Sequence, residues 1–517
     1  SGDLGASISQ QFNNDFVIDQ MTYAGGSTSY VYDDDLLLTQ ANGFTIDRNT
    51  QHGLPEAIAD TRYQQQRNYN VYGEPQNVTT QVANNAAYSY TLTYNDLSLI
   101  VGKSETLHGG STHQYVYTYD DNRRLKSVMK DSVLTEAYSY DHNGNRTAQT
   151  NTARGIASQT ASYNIADQLT QDGNVTYQYD VDGYLTRKTD GNDITHYTYS
   201  RQGRLLSVQT PTDLIEYRHN AMGNRVAKSV NGQTTEKYLW LDKTTLLATY
   251  DANNTLKQRF EYTLGHAPTS FTQNGNRYYI ATDHLGSPRA ISDENGNIIK
   301  AIAYDSYGSV ISDSNPAFTI PFGFAGGLQD SDTRLIRFGF RDYDPQAGRW
   351  TARDPIGFHG GLNHYAYAEN APTSRIDLNG LKTVDTTRDA IRHYLSGQGG
   401  SVALGPLTQS AIKNSADQQY RSERITSGQT PSTSGQYGVD VESSVYHVGD
   451  TPILYSTVCS GGTCVAIYVS QGDGFWDPIY SSDGVGPGGE FLGSPFSYEP
   501  FIWTEEFIDP SYMSCGR

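Results

Sequence analysis

A short aromatic phrase that keeps returning constrains this chain more than any other feature. Tyr117-Thr-Tyr-Asp120 is followed by Arg124-Leu125, and Tyr138-Ser-Tyr-Asp141 by Gly144-Asn-Arg146. Tyr177-Gln-Tyr-Asp180 comes with Gly183-Tyr-Leu185, Tyr197-Thr-Tyr199 with Gly203-Arg-Leu205, and Tyr217-Arg-His219 with Gly223-Asn-Arg225. Tyr163, with Asp167 and Leu169, is a degenerate copy, and the period is about twenty residues. Rings two residues apart lie on one face of a strand. Asp, Asn and Gly then supply a turn, Gly and Asn accepting a positive φ, and an Arg-Leu or Tyr-Leu strand returns. One such hairpin cannot bury its aromatic face alone, whereas stacked copies can. The expected fold is mainly β: a long, spiralling antiparallel sheet.

Composition agrees. The 517 residues exceed the roughly 250–300 at which one core stops growing, so several domains or a repetitive architecture are required. Forty Tyr and 50 Gly stand beside only 36% hydrophobic and 18% charged residues, a balance that favours strands and turns over helices. A net charge of −19 and a pI near 5.0 argue against a broad phosphate-binding surface, so a nucleic-acid partner is not expected. No apolar run approaches the ~20 residues that a membrane span needs. Ser1 is followed by polar sequence without a secretory signal pattern. The chain opens in mid-pattern, and we expect its natural N-terminus to lie upstream.

After the repeats comes an ordered series of phrases. It runs through Asp283-His-Leu-Gly-Ser-Pro-Arg289, Tyr304-Asp-Ser-Tyr-Gly308, Phe322-Gly-Phe-Ala-Gly-Gly327 and Arg341-Asp-Tyr-Asp-Pro345. It continues with Gly348-Arg-Trp350, Asp354-Pro-Ile-Gly357, Gly360-Gly-Leu-Asn363, Tyr365-Ala-Tyr367, Asn370-Ala-Pro372 and Asp377-Leu-Asn-Gly-Leu381. The repeats, over roughly residues 60–325, resemble the YD repeats of bacterial Rhs, toxin-complex C and wall-associated toxins, also found in teneurins. The phrases of 283–381 resemble the Rhs-associated core region. The resemblance implies three parts: a repeat β shell over 1–282, a core segment over 283–381, and a variable C-terminal effector over 382–517.

The resemblance also implies chemistry. Two close acids can share one proton, one acting as base on a water and the other donating to the scissile carbonyl. In the family, the Asp of the first Asp-Pro-x-Gly and the Asp opening the terminal Asp-Pro-x-Gly-Leu form an aspartyl peptidase that cuts after the final Leu. These map to Asp354 and Asp377, with scission between Leu381 and Lys382. No cofactor is implied for it. Arg353 matches a position where the family often has Arg, and is expected to hold or tune a carboxylate. Leu378 stands where the family usually has Pro, which loosens the expected backbone restraint on Asp377. His284 reads as a turn residue, and Gly360-Gly361 as tightly packed backbone near the cut.

Beyond Leu381 the aromatic rhythm stops. Residues 387–395 and 406–424 read as amphipathic helices, and alternation returns from Tyr437, so a small α+β domain is expected. Seven Lys and Arg against fifteen Asp and Glu give residues 382–517 a balance of −8, which disfavours a nuclease. His393 on the first helix, and His447 near Asp440, Glu442 and Asp450, are candidate bases or ligands. Arg421 or Arg424, Ser432-Thr-Ser434 and Glu505-Glu506 resemble, in order only, the elements of ADP-ribosyltransferases, which would bring NAD to the effector. The loop-like setting of the serines and the adjacency of the two acids depart from that pattern. Cys459 and Cys464 flank a turn that would set them across a strand pair, either bridged or as free thiols.

Two functions follow as expectations. In the first, a secreted or delivered toxin of the type VI or toxin-complex kind holds its own effector within the shell and frees it by self-cleavage in interbacterial competition. Its partners would be a cognate immunity protein and a delivery apparatus or upstream repeats. In the second, the repeats are a cell-surface adhesion or recognition scaffold and no cut occurs.

Overall fold

The computed structural model describes residues 4–50 and 53–385, and the backbone of four later strands, Ser434–Glu442, His447–Ser460, Thr463–Ser470 and Ile502–Ile508. The chain divides into two units, Ser1–Val31 with Leu38–Ile391, and Tyr32–Leu37 with Arg392–Arg517.

In the first unit the repeat becomes a meander. Thirty strands, from Ile8–Phe12 to Val310–Asp313, join one antiparallel ribbon in which neighbours in sequence are neighbours in the sheet. One copy shows the local cause. Thr112–Tyr119 pairs with Leu125–Lys130, and a bulge falls between Thr118 and Tyr119. The Asp120 carboxylate accepts the N–H groups of Asn122 and Arg124 at 3.0 and 2.9 Å, closing the loop. Asp180, Asp251 and Asp293 close theirs in the same way. The fourth loop position needs a positive φ, and Gly144, Gly183 and Gly223 supply it at 81°, 82° and 82°.

Period-two burial follows. Tyr117, Tyr138, Tyr177, Tyr197 and Tyr217 are buried, the next residue of each strand is exposed, and the second aromatic is half-buried on the inner face. The phenols of that second position reach back across the ribbon. Tyr119 donates to the Ile100 carbonyl, Tyr140 to Leu125 and Tyr163 to Arg146, at 2.7, 2.7 and 2.9 Å. These three copies are thereby tied to the ones before them, whereas the hydroxyl of Tyr199 and the ring nitrogens of His219 find no such partner. The ribbon also begins well before residue 60, with Ile8–Phe12, where Asn13 closes the first loop by accepting the N–H groups of Asp15 and Val17 at 2.9 and 3.2 Å. Asn70 and Asn95 later keep the same loop chemistry with Asn in place of Asp.

Residues 314–385 lie against this ribbon. A small sheet of Leu328–Gln329, Ile336–Phe338, Arg341–Asp344 and Arg349–Trp350 carries an apolar cluster of Leu285, Phe324, Ile336, Phe338, Tyr343, Trp350, Tyr367 and Ile376. Buried polar contacts fix it to the repeats: Arg225 to Asp342 at 2.8 Å, Tyr365 Oη to the Gly183 carbonyl at 2.9 Å, and Ser374 Oγ to the Ile100 N–H at 2.8 Å. Arg375–Ile376 pairs with Val384–Asp385, Arg375 opposite Asp385 and Ile376 opposite Val384, so the chain reverses between them.

In the second unit the four later strands form an antiparallel sheet in chain order. Cys459 and Cys464 take directly opposed register positions in it. The helices expected over 387–395 and 406–424 lie outside the described residues. Among the described residues no helix is long and apolar enough to cross a membrane.

Candidate active site

The hairpin turn between Phe338 and Arg341 brings one cation to two acids. Arg341 stacks 4.2 Å above Trp350, which fixes its plane. Its Nη2 lies 2.8 Å from Asp354 Oδ2 and 3.1 Å from Asp377 Oδ2. Nη1 donates to the His364 carbonyl at 3.0 Å, and Nε donates to the carbonyl of Gly380. The guanidinium thus spends its donors on the acids and on the backbone that presents them.

Each aspartate is also held by its own loop. Asp354 Oδ1 accepts the Ile356 N–H at 3.0 Å, at the head of the Asp354-Pro-Ile-Gly357 turn. Asp377 Oδ1 accepts the Leu381 N–H at 2.9 Å, and Asn379 Oδ1 approaches the same N–H at 3.0 Å. Leu381, the residue expected to precede the cut, is therefore pinned through its backbone by one of the two acids. Both acids are buried, with only 4% and 2% of their surfaces exposed. Burial is the main cause that pushes Asp354 up to about 6, against the pull of Arg341. Burial likewise raises Asp377 above the ordinary carboxylate range. A buried pair of carboxyls around one guanidinium can keep a proton near neutrality, which general acid–base work requires.

Several expected residues fall elsewhere. Arg353 is exposed and runs beside Gly183 and Tyr184, so the cation at the acids is Arg341. The two residues lie in the irregular segment after Arg349–Trp350, where Asp354 is buried and its neighbour Arg353 is exposed. Leu378, in the place of the family's Pro, packs against the apolar cluster, and the turn closes without proline. His284 sits in its turn, where Nε2 donates to the Thr373 carbonyl at 2.8 Å. Burial lowers its pKa, as suits a neutral tether. His393 and Arg421 lie outside the described residues. The backbone register sets Glu442 opposite His447 and Asp440 opposite Asp450 in one hairpin, with Glu505 opposite Ala466 on another strand. Among the described residues no cluster of His, Cys, Asp and Glu could hold a metal.

Sequence reasoning assigned no role to Arg341. The signal was present, since Arg341-Asp-Tyr-Asp-Pro345 is one of the ordered phrases, but its partners lie 13 and 36 residues downstream.

A meander of tyrosine-rich hairpins carrying a compact core segment defines the class of YD-repeat shell proteins. More narrowly, the chain belongs to the teneurin YD-shell family, whose model matches residues 4–372. Teneurin-3 of Danio rerio is 30% identical over 328 residues, 60% of this chain and 12% of that one. Teneurin-4 of Homo sapiens is 32% identical over 298 residues, 56% of this chain and 10% of that one. The tRNA3(Ser)-specific nuclease WapA of Bacillus spizizenii is 29% identical over 269 residues, 50% of this chain and 11% of that one. The chain thus spans only a small part of these relatives. Among solved structures, the TcdB2-TccC3-TEV crystal structure matches 73% of this chain and 21% of its own, at 16% identity and a TM-score of 0.52. That likeness is one of fold.

Proposed function

We propose that the chain is part of a delivered toxin that cuts itself between Leu381 and Lys382, with Asp354 and Asp377 as the aspartyl peptidase pair. One acid takes a proton from a water as it adds to the Leu381 carbonyl carbon, and the other donates to the carbonyl oxygen. The Leu381–Lys382 bond then breaks, leaving a carboxyl at Leu381 and an amine at Lys382. The observation that carries this reading is Arg341 Nη2 bridging both acids while Asp377 holds the Leu381 N–H. The pairing of Val384–Asp385 with Arg375–Ile376 covers only two register positions, so little sheet pairing would retain the strand past the cut. The separated part, from Lys382 onward, is the effector, kept within the shell until delivery. A cognate immunity protein and a delivery apparatus or further repeats are its partners, and the cut needs no cofactor.

The teneurin relatives favour a second reading, in which the repeats are a cell-surface recognition scaffold and no cut occurs. Intact mass spectrometry of the purified chain separates the two. The toxin reading expects fragments divided after Leu381, and whole chains for Asp354→Asn and Asp377→Asn. A parent chain that stays whole through long incubation would favour the scaffold.

A further inference from the structure

Gly360 ends the short turn Gly357–Gly360 that follows Asp354. Its backbone gives no reason for glycine, because its φ lies outside the left-handed region. Space does. A Cβ placed there would meet Asp354 Oδ2 at 2.3 Å, Asp354 Cγ at 2.7 Å and the Leu381 carbonyl oxygen at 2.7 Å. No real side chain tolerates such approaches. Both obstructing groups are also fixed: the carboxylate by Arg341 and the Ile356 N–H, and the Leu381 backbone by Asp377. The missing side chain is thus what allows one carboxyl and one carbonyl to share a small space.

We infer that Gly360 is a positioning residue of the proposed peptidase, whose lack of a side chain brings the Leu381 carbonyl to Asp354. The inference rests on the self-cleavage reading, and it divides the work between the two acids. Asp354 faces the carbonyl oxygen and is the donor to it as water adds. Asp377 fixes Leu381 through its N–H and serves as the base.

The test is a time course of intact mass on the full chain, comparing the parent with Gly360→Ala, Gly360→Val and Phe358→Ala. Phe358 lies on the same turn but is 75% exposed, and its removal should leave cleavage unchanged. Displacing a reacting group by about 1 Å can cost about 100-fold in rate. Gly360→Ala should therefore cut about 100-fold more slowly, and Gly360→Val more slowly still. Residual cutting by Gly360→Ala is also followed against pH. A Cβ that pushes the Asp354 carboxyl out of its closed setting moves the fall-off in rate to lower pH, which a general loss of structure would not do. A parent that cuts alongside a Gly360→Ala that keeps pace would overturn the assignment and leave the peptidase standing. A slowed Gly360→Ala with a lowered melting temperature and an unmoved pH profile would reduce Gly360 to packing and overturn it too. A parent that never cuts would overturn the peptidase reading itself, and this inference with it.

Discussion

Asp354 and Asp377 share one cation, so a full charge on both leaves one negative charge in excess in a buried place. Holding a proton there costs less than ionising both, and so burial lifts Asp354 from 3.8 to about 6 and raises Asp377 as well. The pair titrates as a unit, and the pH dependence of cutting belongs to the pair. The donor must carry its proton. Cutting should therefore be fastest in mildly acidic solution and fall about tenfold per pH unit above the limb near 6. Time courses quenched between pH 4.5 and pH 8 and read by intact mass check this. A rate that climbs steadily to pH 8 would mean that Asp354 works as an ordinary ionised carboxylate. The sequence offered the two acids through their place in an ordered series of phrases. It did not offer the cation, because the neighbour Arg353 is local in sequence while Arg341 becomes adjacent only once the Phe338–Arg341 turn is built.

At the scale of the hairpin, the recurring Tyr-x-Tyr was legible because a period of two leaves the rings no choice of face. Tyr117 and Tyr119 on one strand, and Tyr138 and Tyr140 on another, obey it. What stayed hidden is why the second ring is so often tyrosine rather than phenylalanine. Its hydroxyl satisfies a backbone carbonyl of the preceding copy, a contact that exists only when copies are stacked. The copies at Asn13, Asn70 and Asn95 were hidden for a related reason, since Asn closes the same loop as Asp and the spelling changes while the geometry does not. The hydroxyl of Tyr119 is placed to show its worth. It donates to the Ile100 carbonyl at 2.7 Å and meets Thr373 Oγ1 and Ser374 Oγ at 3.0 and 2.9 Å, joining the repeats to the core segment. Tyr119→Phe keeps the ring and strands those partners, which should cost about 1–3 kcal/mol. Tyr72→Phe removes a hydroxyl from a residue that is 83% exposed, and should stay within about 0.5 kcal/mol of the parent. Urea midpoints of both in an uncut Asp354→Asn background provide the comparison, and equal midpoints would deny the hydroxyl its role as a tie.

Across the whole first unit, the repeats and the core segment meet through buried charge, and not all of it is neutralised. Glu136, on a repeat strand, accepts from Tyr138 Oη at 2.6 Å and from the Ser306 N–H at 3.3 Å. It lies near Asp305, which accepts from Asn151 Nδ2 at 2.9 Å, with Arg154 only 3.7 Å away. Burial, followed by the charge of Asp305, pushes Glu136 up from 4.5 to about 7, and burial raises Asp305 as well. The sign follows from proton counting. The folded chain keeps a proton that the unfolded chain has released, so this contact contributes its full stability below pH 4.5 and loses it as pH rises through about 7. A melting curve of the parent alone would mislead. His219, His284 and His364 have lowered pKa values, with burial as the first cause. They act in the opposite sense, and their stability is lost as pH falls below about 6.5. The difference between Glu136→Gln and its parent isolates the contact, because the histidines are common to both. Gln still accepts from Tyr138 and cannot ionise. In the Asp354→Asn background the two chains should be equally stable near pH 4.5. By pH 8 the Gln variant should lead by on the order of 3 kcal/mol. A gap that does not change between those two pH values would mean that Glu136 ionises freely, and that the contact between the repeats and the core segment does not respond to acid.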